Sequence, residues 1–197
     1  MFTPASRRCS EDNLRLEIRR QIFHLTLISL WVVPVYLFPF RVNLLIFGIV
    51  ILVNLLVVLR VSPFYDLFSF LIDLLERKKN LRFPGIQSLY ANLGIMTAYL
   101  LFEKLAVVGI VTLAVGDSLS TLAGKAVGRH PLFYNGEKTW EGCVAFFLSS
   151  FAVLSFLTDI RSALLVASLS ALLESVRFPL DDNFLIPVSA TALVYLL

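Results

Sequence analysis

Seven apolar runs follow one another through the 197 residues, at 22–40, 42–59, 85–102, 105–123, 142–157, 162–176 and 183–197. A helix needs about 20 apolar residues to cross the roughly 30 Å hydrocarbon core of a bilayer. Inside lipid the backbone must satisfy its own hydrogen bonds, which leaves helices or closed barrels, and runs this long suit helices. With 58% hydrophobic and 16% charged residues, the chain has no stretch left for a separate soluble domain. The expected architecture is therefore one integral membrane domain over 1–197, an all-α polytopic bundle of about seven crossings. Six remain possible if one of the two short C-terminal runs is re-entrant. Between the second and third runs, Phe64, Leu67, Phe68, Leu71, Ile72 and Leu75 recur at helical spacing opposite Asp66, Asp73 and Glu76. That pattern suits an amphipathic helix over 62–75 on the membrane surface. Pro34, Pro39 and Pro187 are expected to kink or shorten the first and last helices.

Alternating the loops across seven crossings sorts the cations sharply. One side takes Arg7, Arg8, Arg15, Arg19, Arg20, Arg60, Arg77, Lys78, Lys79, Arg82, Lys125, Arg129, Lys138 and Arg177, and the other only Arg41, Lys104 and Arg161. The positive-inside rule then puts the N-terminal segment 1–21 and the loop 124–141 in the cytoplasm. This distribution also explains the net charge of +3 without nucleic acid, since no basic stripe is interleaved with aromatic residues. Cys9 and Cys143 have no metal-ligand spacing and suggest neither a disulfide framework nor a zinc site. No cleavage site follows the first apolar run, so it reads as a retained helix.

An ionised group inside a crossing helix costs about 2.5–3.5 kcal/mol even on the lenient scale, which makes an intramembrane acid a functional candidate. Asp117, Thr121 and Lys125 fall at i, i+4 and i+8 of the fourth run, placing an acid, a hydroxyl and a base on one face. The adjacent face carries Gly116, Ser120, Gly124 and Gly128, a stripe expected to pack closely on another helix and also able to admit a phosphate. In the following loop Lys125, Arg129 and Lys138 are cations of the kind that hold a polyphosphate, and Glu137 and Glu141 are oxygen donors suited to Mg²⁺. Thr139 and Trp140 open the next run, where helix N–H groups could face an anion. Glu174 at the end of the sixth run has no capping role to explain it, whereas Asp182 and Asn183 before the seventh have one. His24 sits a turn into the first run, where a hydrogen-bonded structural role is the plainer alternative. There is no Walker A loop, because Leu119 and Ala126 occupy two of its obligatory positions. These residues could also line a transport path, although the chain shows no inverted repeat and its polar groups gather at one side.

Taken in order, four pieces resemble the polyprenol kinase family, which includes dolichol kinase, phytol kinase and CTP-dependent diacylglycerol kinase. They are Glu17-x-x-Arg20-x-x-x-His24, Gly116 and Asp117 with Gly124 and Gly128, Lys138-Thr139-Trp140-Glu141-Gly142, and Glu174 followed by Asp182, Asn183 and Pro187. The resemblance implies transfer of the γ-phosphoryl of a nucleoside triphosphate, typically CTP, to a lipid alcohol at the cytoplasmic face with Mg²⁺. Asp117, Glu141 and Asp182 would then hold the metal, with Glu174 a further acid. Lys125, Arg129 and Lys138, with Ser120, Thr121, Gly124, Gly128 and Thr139, would take the nucleotide, and a carboxylate or His24 would orient the acceptor hydroxyl. The family is distantly similar to phosphatidate cytidylyltransferase, which makes a CDP-lipid and is the rival reading. Its closing motif has no counterpart here.

Overall fold

The computed structural model describes residues 4–75 and 83–197, with side chains from residue 14 onward. The calls on Arg77, Lys78, Lys79 and Arg82 lie outside the described residues. Ten helices are described: α1 (Pro4–Leu30), α2 (Val32–Leu37), α3 (Phe40–Val58), α4 (Phe64–Leu75), α5 (Ile86–Phe102), α6 (Ala106–Val111), α7 (Ser118–Ala126), α8 (Trp140–Leu154), α9 (Ile160–Ser175) and α10 (Asp182–Leu196). A wide π turn, Thr112–Asp117, joins α6 to α7 without interrupting the rod.

These elements make seven helical passes that alternate in direction among the described residues. The α1/α2 pass runs away from one end of the bundle, and α3 returns to it. The chain then turns back at Glu103, whose positive φ of 50° reverses its course between α5 and α6. Phe102 at the end of α5 meets Tyr195 at the end of α10, whereas Gly94 of α5 and Gly109 of α6 both lie against Phe184 to Thr191 of α10. So α10 lies in the groove of the α5–α6 hairpin, parallel to α5. The reason is local: a Cβ on Gly109 would lie 2.1 Å from the Pro187 carbonyl oxygen, and one on Gly94 2.7 Å from that of Phe184. Pro187 neither breaks nor shortens α10. It seats in this glycine notch, and its carbonyl accepts from the Thr191 hydroxyl at 2.7 Å.

Leu14–Leu37, Phe40–Val58 and the doubled-back stretch Ile86–Ala126 are long and apolar enough to cross a membrane, while Trp140–Leu154 and Asp182–Leu196 are apolar but shorter. This is an all-α membrane helix bundle. Its outer faces carry Leu45, Leu52, Leu148, Phe156 and Leu172 in the open, as a bilayer solvent demands. The core between α1, α3 and α5 is aromatic, with Trp31 stacked on Phe47 at 4.1 Å between centroids and Tyr99 beside it. Two polar pairs cross between helices here: Trp31 Nε1 donates to Asn92 at 2.9 Å and Asn43 Nδ2 to Tyr99 at 2.9 Å.

Two further local features differ from expectation, the start of α1 and the loop after α7, and the amphipathic helix agrees with it. The first apolar run belongs to a helix that begins at Pro4, within the polar N-terminal segment. It tightens at Trp31, because Pro34 offers no N–H to the carbonyl four residues back, and Pro39 then separates α2 from α3. The 124–141 stretch is not an open loop: β1 (Pro131–Leu132) and β2 (Asn135–Thr139) pair as an antiparallel hairpin. The amphipathic helix is present as α4, with Leu67 and Phe70 exposed and Ile72 buried.

Candidate active site

The start of α5, the end of α7, the end of α9 and the start of α10 carry polar groups that line adjoining cavities, and the hairpin borders two of these cavities. Its position is set by α9: Asn135 Nδ2 donates to the Ser175 carbonyl at 2.9 Å, and the Tyr134 and Ser175 hydroxyls share a hydrogen bond at 2.8 Å. Arg177 Nε reaches the Asn135 side-chain oxygen at 3.0 Å. Thus anchored, β2 aims Lys138 inward. Its ammonium donates to Glu174 and, at 3.1 Å, to Asp182. Glu174 is only 2% exposed and also accepts from the Ser120 hydroxyl at 3.0 Å. Burial pushes the Lys138 ammonium toward its neutral form. The carboxylates of Glu174, Asp182 and Asp117 around it outweigh that effect, and its pKa lies above the ordinary lysine value.

The π turn aims Asp117. One extra residue per turn rotates the helix beyond it by about 100° relative to a regular continuation. Asp117 Oδ2 thereby comes within 3.6 Å of His24 Nε2 on α1, too far for a hydrogen bond. On α1, Glu17 is buried and holds two neighbours: Arg20 Nη1 at 2.6 Å and Gln21 Nε2 at 3.1 Å. Arg20 Nη2 also reaches Gln87 at the start of α5, at 2.9 Å.

Three cavities adjoin here. A polar one of 230 Å³ is walled by Arg20, Gln21, His24, Gln87, Asp117 and Lys138, together with Asp181 and Asp182. Across Thr121, Glu137 and Lys138 lies a second, of 430 Å³, between Ser120, Gly124, Lys125, Thr139, Gly142 and Glu174. On the opposite side, across Arg20, His24 and Gln87, an apolar groove of 230 Å³ runs between α1, α3, α4 and α5. Of six buried side-chain polar atoms with no hydrogen-bond partner among the described residues, three belong to walls of the polar cavity: Gln21 Oε1, His24 Nε2 and Asn183 Oδ1. Buried polar groups are normally satisfied, so this concentration points to a polar ligand.

Asp117, His24, Lys138, Glu174, Asp182, Thr121, Ser120, Gly124 and Lys125 are thus gathered at one site, and other expected residues are not. Glu141 lines none of the three cavities, accepting instead from His130 Nδ1 at 2.7 Å and the Arg129 N–H at 3.1 Å, so it shapes the turn before β1. Arg129 is exposed in that turn. Thr139 caps α8, its hydroxyl accepting from the Gly142 N–H at 3.2 Å, which uses a donor expected to face an anion. Gly128 packs on Thr139 and on the Gly124 carbonyl, and Gly116 on Phe146 and Ser150, as helix packing requires. Arg20, Gln21, Gln87 and Asp181 were missed as cavity residues. Glu17, spaced to hold both Arg20 and Gln21 on one helix face, was the available signal for the first two.

For Mg²⁺ the donor set is sparse. Among the described residues, no three His, Cys, Asp or Glu side chains are grouped so as to hold an ion. Asp117 and Asp182 do share the polar cavity. Mg²⁺ takes one or two carboxylates and completes its shell with phosphate oxygens and water, so the pair fits a metal that arrives on a triphosphate.

An uncharacterized protein of Methanocaldococcus jannaschii is 32% identical over 176 residues, 87% of this chain and 88% of that protein. Dolichol kinase of Saccharomyces cerevisiae is 35% identical over 115 residues, 52% of this chain and 21% of the kinase. Phytol kinase 1 of Arabidopsis thaliana, a chloroplastic protein, is 22% identical over 128 residues, 55% of this chain and 42% of the kinase. The chain therefore spans less than half the length of either kinase. No family model and no solved structure matches it. The chain belongs to one family with the M. jannaschii protein and is a distant homologue of dolichol kinase and phytol kinase, in keeping with the polyprenol kinase family.

Proposed function

We propose that this protein is a lipid-alcohol kinase, moving the γ-phosphoryl group of a nucleoside triphosphate, CTP in the first instance, onto an isoprenoid alcohol at the cytoplasmic face. The observation that carries this reading is the order of the three cavities: a glycine-walled polar chamber, the Asp117, His24 and Lys138 cavity, then an apolar groove. A soluble nucleotide and a membrane lipid can approach one another across that centre. Phosphoryl transfer asks mainly for alignment and neutralisation of charge. Lys125 at the rim and Lys138 at the boundary of the larger chamber supply cations for the phosphates. Asp117 and Asp182 would hold Mg²⁺, which when bound screens the charge on the phosphate oxygens. The names of the kinase homologues support a lipid alcohol as acceptor.

The test supplies the purified protein with labelled CTP or ATP and a panel of isoprenoid alcohols and diacylglycerol, with and without Mg²⁺. Label is expected on an isoprenoid alcohol from CTP, lost when Mg²⁺ is chelated. Release of pyrophosphate with a CDP-lipid would replace the kinase by a cytidylyltransferase. The cytoplasmic placement is tested at Gly136, where a new Cβ meets nothing within 4 Å. Gly136→Cys in a Cys9→Ser, Cys143→Ser background is expected to react with an impermeant thiol reagent only in opened cells.

A further inference from the structure

The apolar groove ends on a buried atom that has no hydrogen-bond partner among the described residues. Its walls are Phe23 and Leu27 of α1, Val53 and Val57 of α3, and Phe68 and Leu71 of α4, among others. Its inner end is formed by Arg20, His24 and Gln87, the three residues it shares with the polar cavity. His24 Nε2 at that junction is inaccessible to solvent and has no hydrogen-bond partner among the described residues, with Asp117 Oδ2 3.6 Å away. On the outer side α4 turns Leu67 and Phe70, 75% and 72% exposed, toward the surroundings, so it forms the wall between groove and bilayer.

We infer that the groove between α1, α3, α4 and α5 holds the hydrocarbon chain of a single-chain primary alcohol and that His24 Nε2 receives the proton of its hydroxyl. This assignment rests on the kinase reading for its chemistry, though not for the occupancy of the groove. An apolar chain satisfies the walls and a terminal hydroxyl satisfies the orphan nitrogen, a combination that neither a nucleotide nor a free phosphate provides. In the transfer, the alcohol oxygen forms a bond to the γ-phosphorus as the bond from that phosphorus to the β,γ-bridging oxygen breaks. The hydroxyl proton moves to His24 Nε2, the nucleoside diphosphate leaves with the bridging-bond electrons, and the proton passes to water after release. Asp117 steadies the imidazolium that forms. A diacylglycerol has a second ester-bearing branch beside its hydroxymethyl group, and is expected to reach the buried nitrogen poorly.

The test uses the full chain in lipid nanodiscs with a geranylgeraniol analogue carrying a photoreactive diazirine along its chain. Adducts are expected on Val53, Phe68 or Leu71, reduced by unlabelled geranylgeraniol and unaffected by diacylglycerol. Adducts spread over lipid-facing residues such as Leu45 and Leu164, and indifferent to competitor, would overturn the groove assignment. Val53→Trp and, separately, Leu71→Trp are expected to cut competed labelling and raise the alcohol KM at least about tenfold, equivalent to about 1.4 kcal/mol, with the triphosphate KM unchanged. His24→Gln is expected to keep the labelling and lower kcat about a hundredfold, the usual scale of a proton-accepting group. Unchanged kcat in that variant would remove the role of His24. Competed groove labelling without transfer from any triphosphate would leave the groove standing and sink the kinase reading instead.

Discussion

The two sides of the polar cavity are built on opposite principles. Toward the hairpin, α7, α8 and α9 are drawn together by glycines and serines, and the charged groups between them are mutually satisfied: Lys138 holds Glu174 and Asp182, and Ser120 holds Glu174. Toward α1 and α5 the packing is aromatic and aliphatic, and although Glu17, Arg20 and Gln87 are paired, Gln21 Oε1 and His24 Nε2 at the cavity wall have no partner among the described residues. A closed network fixes geometry and resists change, whereas unpaired atoms next to an apolar groove have free energy to gain from a ligand. The donor side is thus expected to respond to mutation mainly through stability, and the acceptor side mainly through turnover.

Lys138→Ala breaks the donor side most severely. Removing one partner of a buried ion pair leaves the other charge stranded, at a cost of about 3–5 kcal/mol, and Glu174 at 2% exposure is such a charge. A large drop in the thermal unfolding temperature of the purified protein is the expected result. Adding Glu174→Gln should restore much of it, because the stranded charge is then gone. If the double variant is stable yet weak for the triphosphate, Lys138 also neutralises phosphate. A double variant with wild-type turnover confines Lys138 to a structural strut.

Asp117→Asn comes next, and it addresses the acceptor side. The carboxamide keeps the shape but loses a charge aimed at the reacting centre. Losing one such preorganised electrostatic contact lowers kcat about 10²–10³-fold. The unfolding temperature is expected to stay near wild type, since Asp117 makes no hydrogen bond to His24 that the fold depends on. Full activity at saturating Mg²⁺ would remove Asp117 from the centre and, with it, the distinction between the two sides.

Gly116→Ala has a smaller expected effect and returns to the donor side. Its new Cβ would lie 2.5 Å from Ser150 Oγ and 2.8 Å from Phe146 Cζ. Overpacking of this kind costs about 1–3 kcal/mol, offset in part by the roughly 1 kcal/mol helix preference of Ala over Gly. The expected outcome is a modest fall in unfolding temperature with KM values unchanged. Gly136→Ala, facing open space, is the control that should change neither.

How much of this arrangement could be read from the residues depends on the range over which each feature is determined. Apolar runs are local, so α3, α5, α8, α9 and α10 begin and end within a few residues of expectation. Asp117 and Glu174 were legible as candidates because an acid in an apolar run is expensive wherever it occurs, whereas Lys138 and Asp182 joined them at one site only through the family resemblance. The pairing of Lys138 with Glu174, 36 residues away, was not, because neither residue type names its partner. Nor was the hairpin, whose two-residue first strand has no periodicity to detect. The π turn at Thr112–Asp117 shifts Asp117 only relative to the residues before it, so the i, i+4, i+8 spacing of Asp117, Thr121 and Lys125 was readable while their register against α6 was not. Gln87 is a neutral amide of the kind found on any helix, and only the cavity it lines distinguishes it.

Glu141 gives the smallest expected effect and the sharpest separation of motif from mechanism. It stands in the Lys138-Thr139-Trp140-Glu141-Gly142 stretch that carries the resemblance, so a metal-holding role was the natural expectation. Its carboxylate instead accepts from the Arg129 N–H and the His130 ring, beside a surface recess formed with Trp140, Val144 and Leu148, and it lines none of the three adjoining cavities. Glu141→Gln keeps an acceptor for those donors and removes only the charge. Because the amide still accepts from those donors and the residue lines none of the three cavities, activity and the Mg²⁺ concentration for half-maximal rate are expected to stay within about twofold of wild type. His130→Gln should behave the same way if the pair serves only the turn. A rise of tenfold or more in the Mg²⁺ requirement of Glu141→Gln, with the unfolding temperature unchanged, would mean that the turn before β1 swings inward when the nucleotide binds. The donor side would then be the mobile half of the site, and the contrast between a closed network and an open groove would reverse.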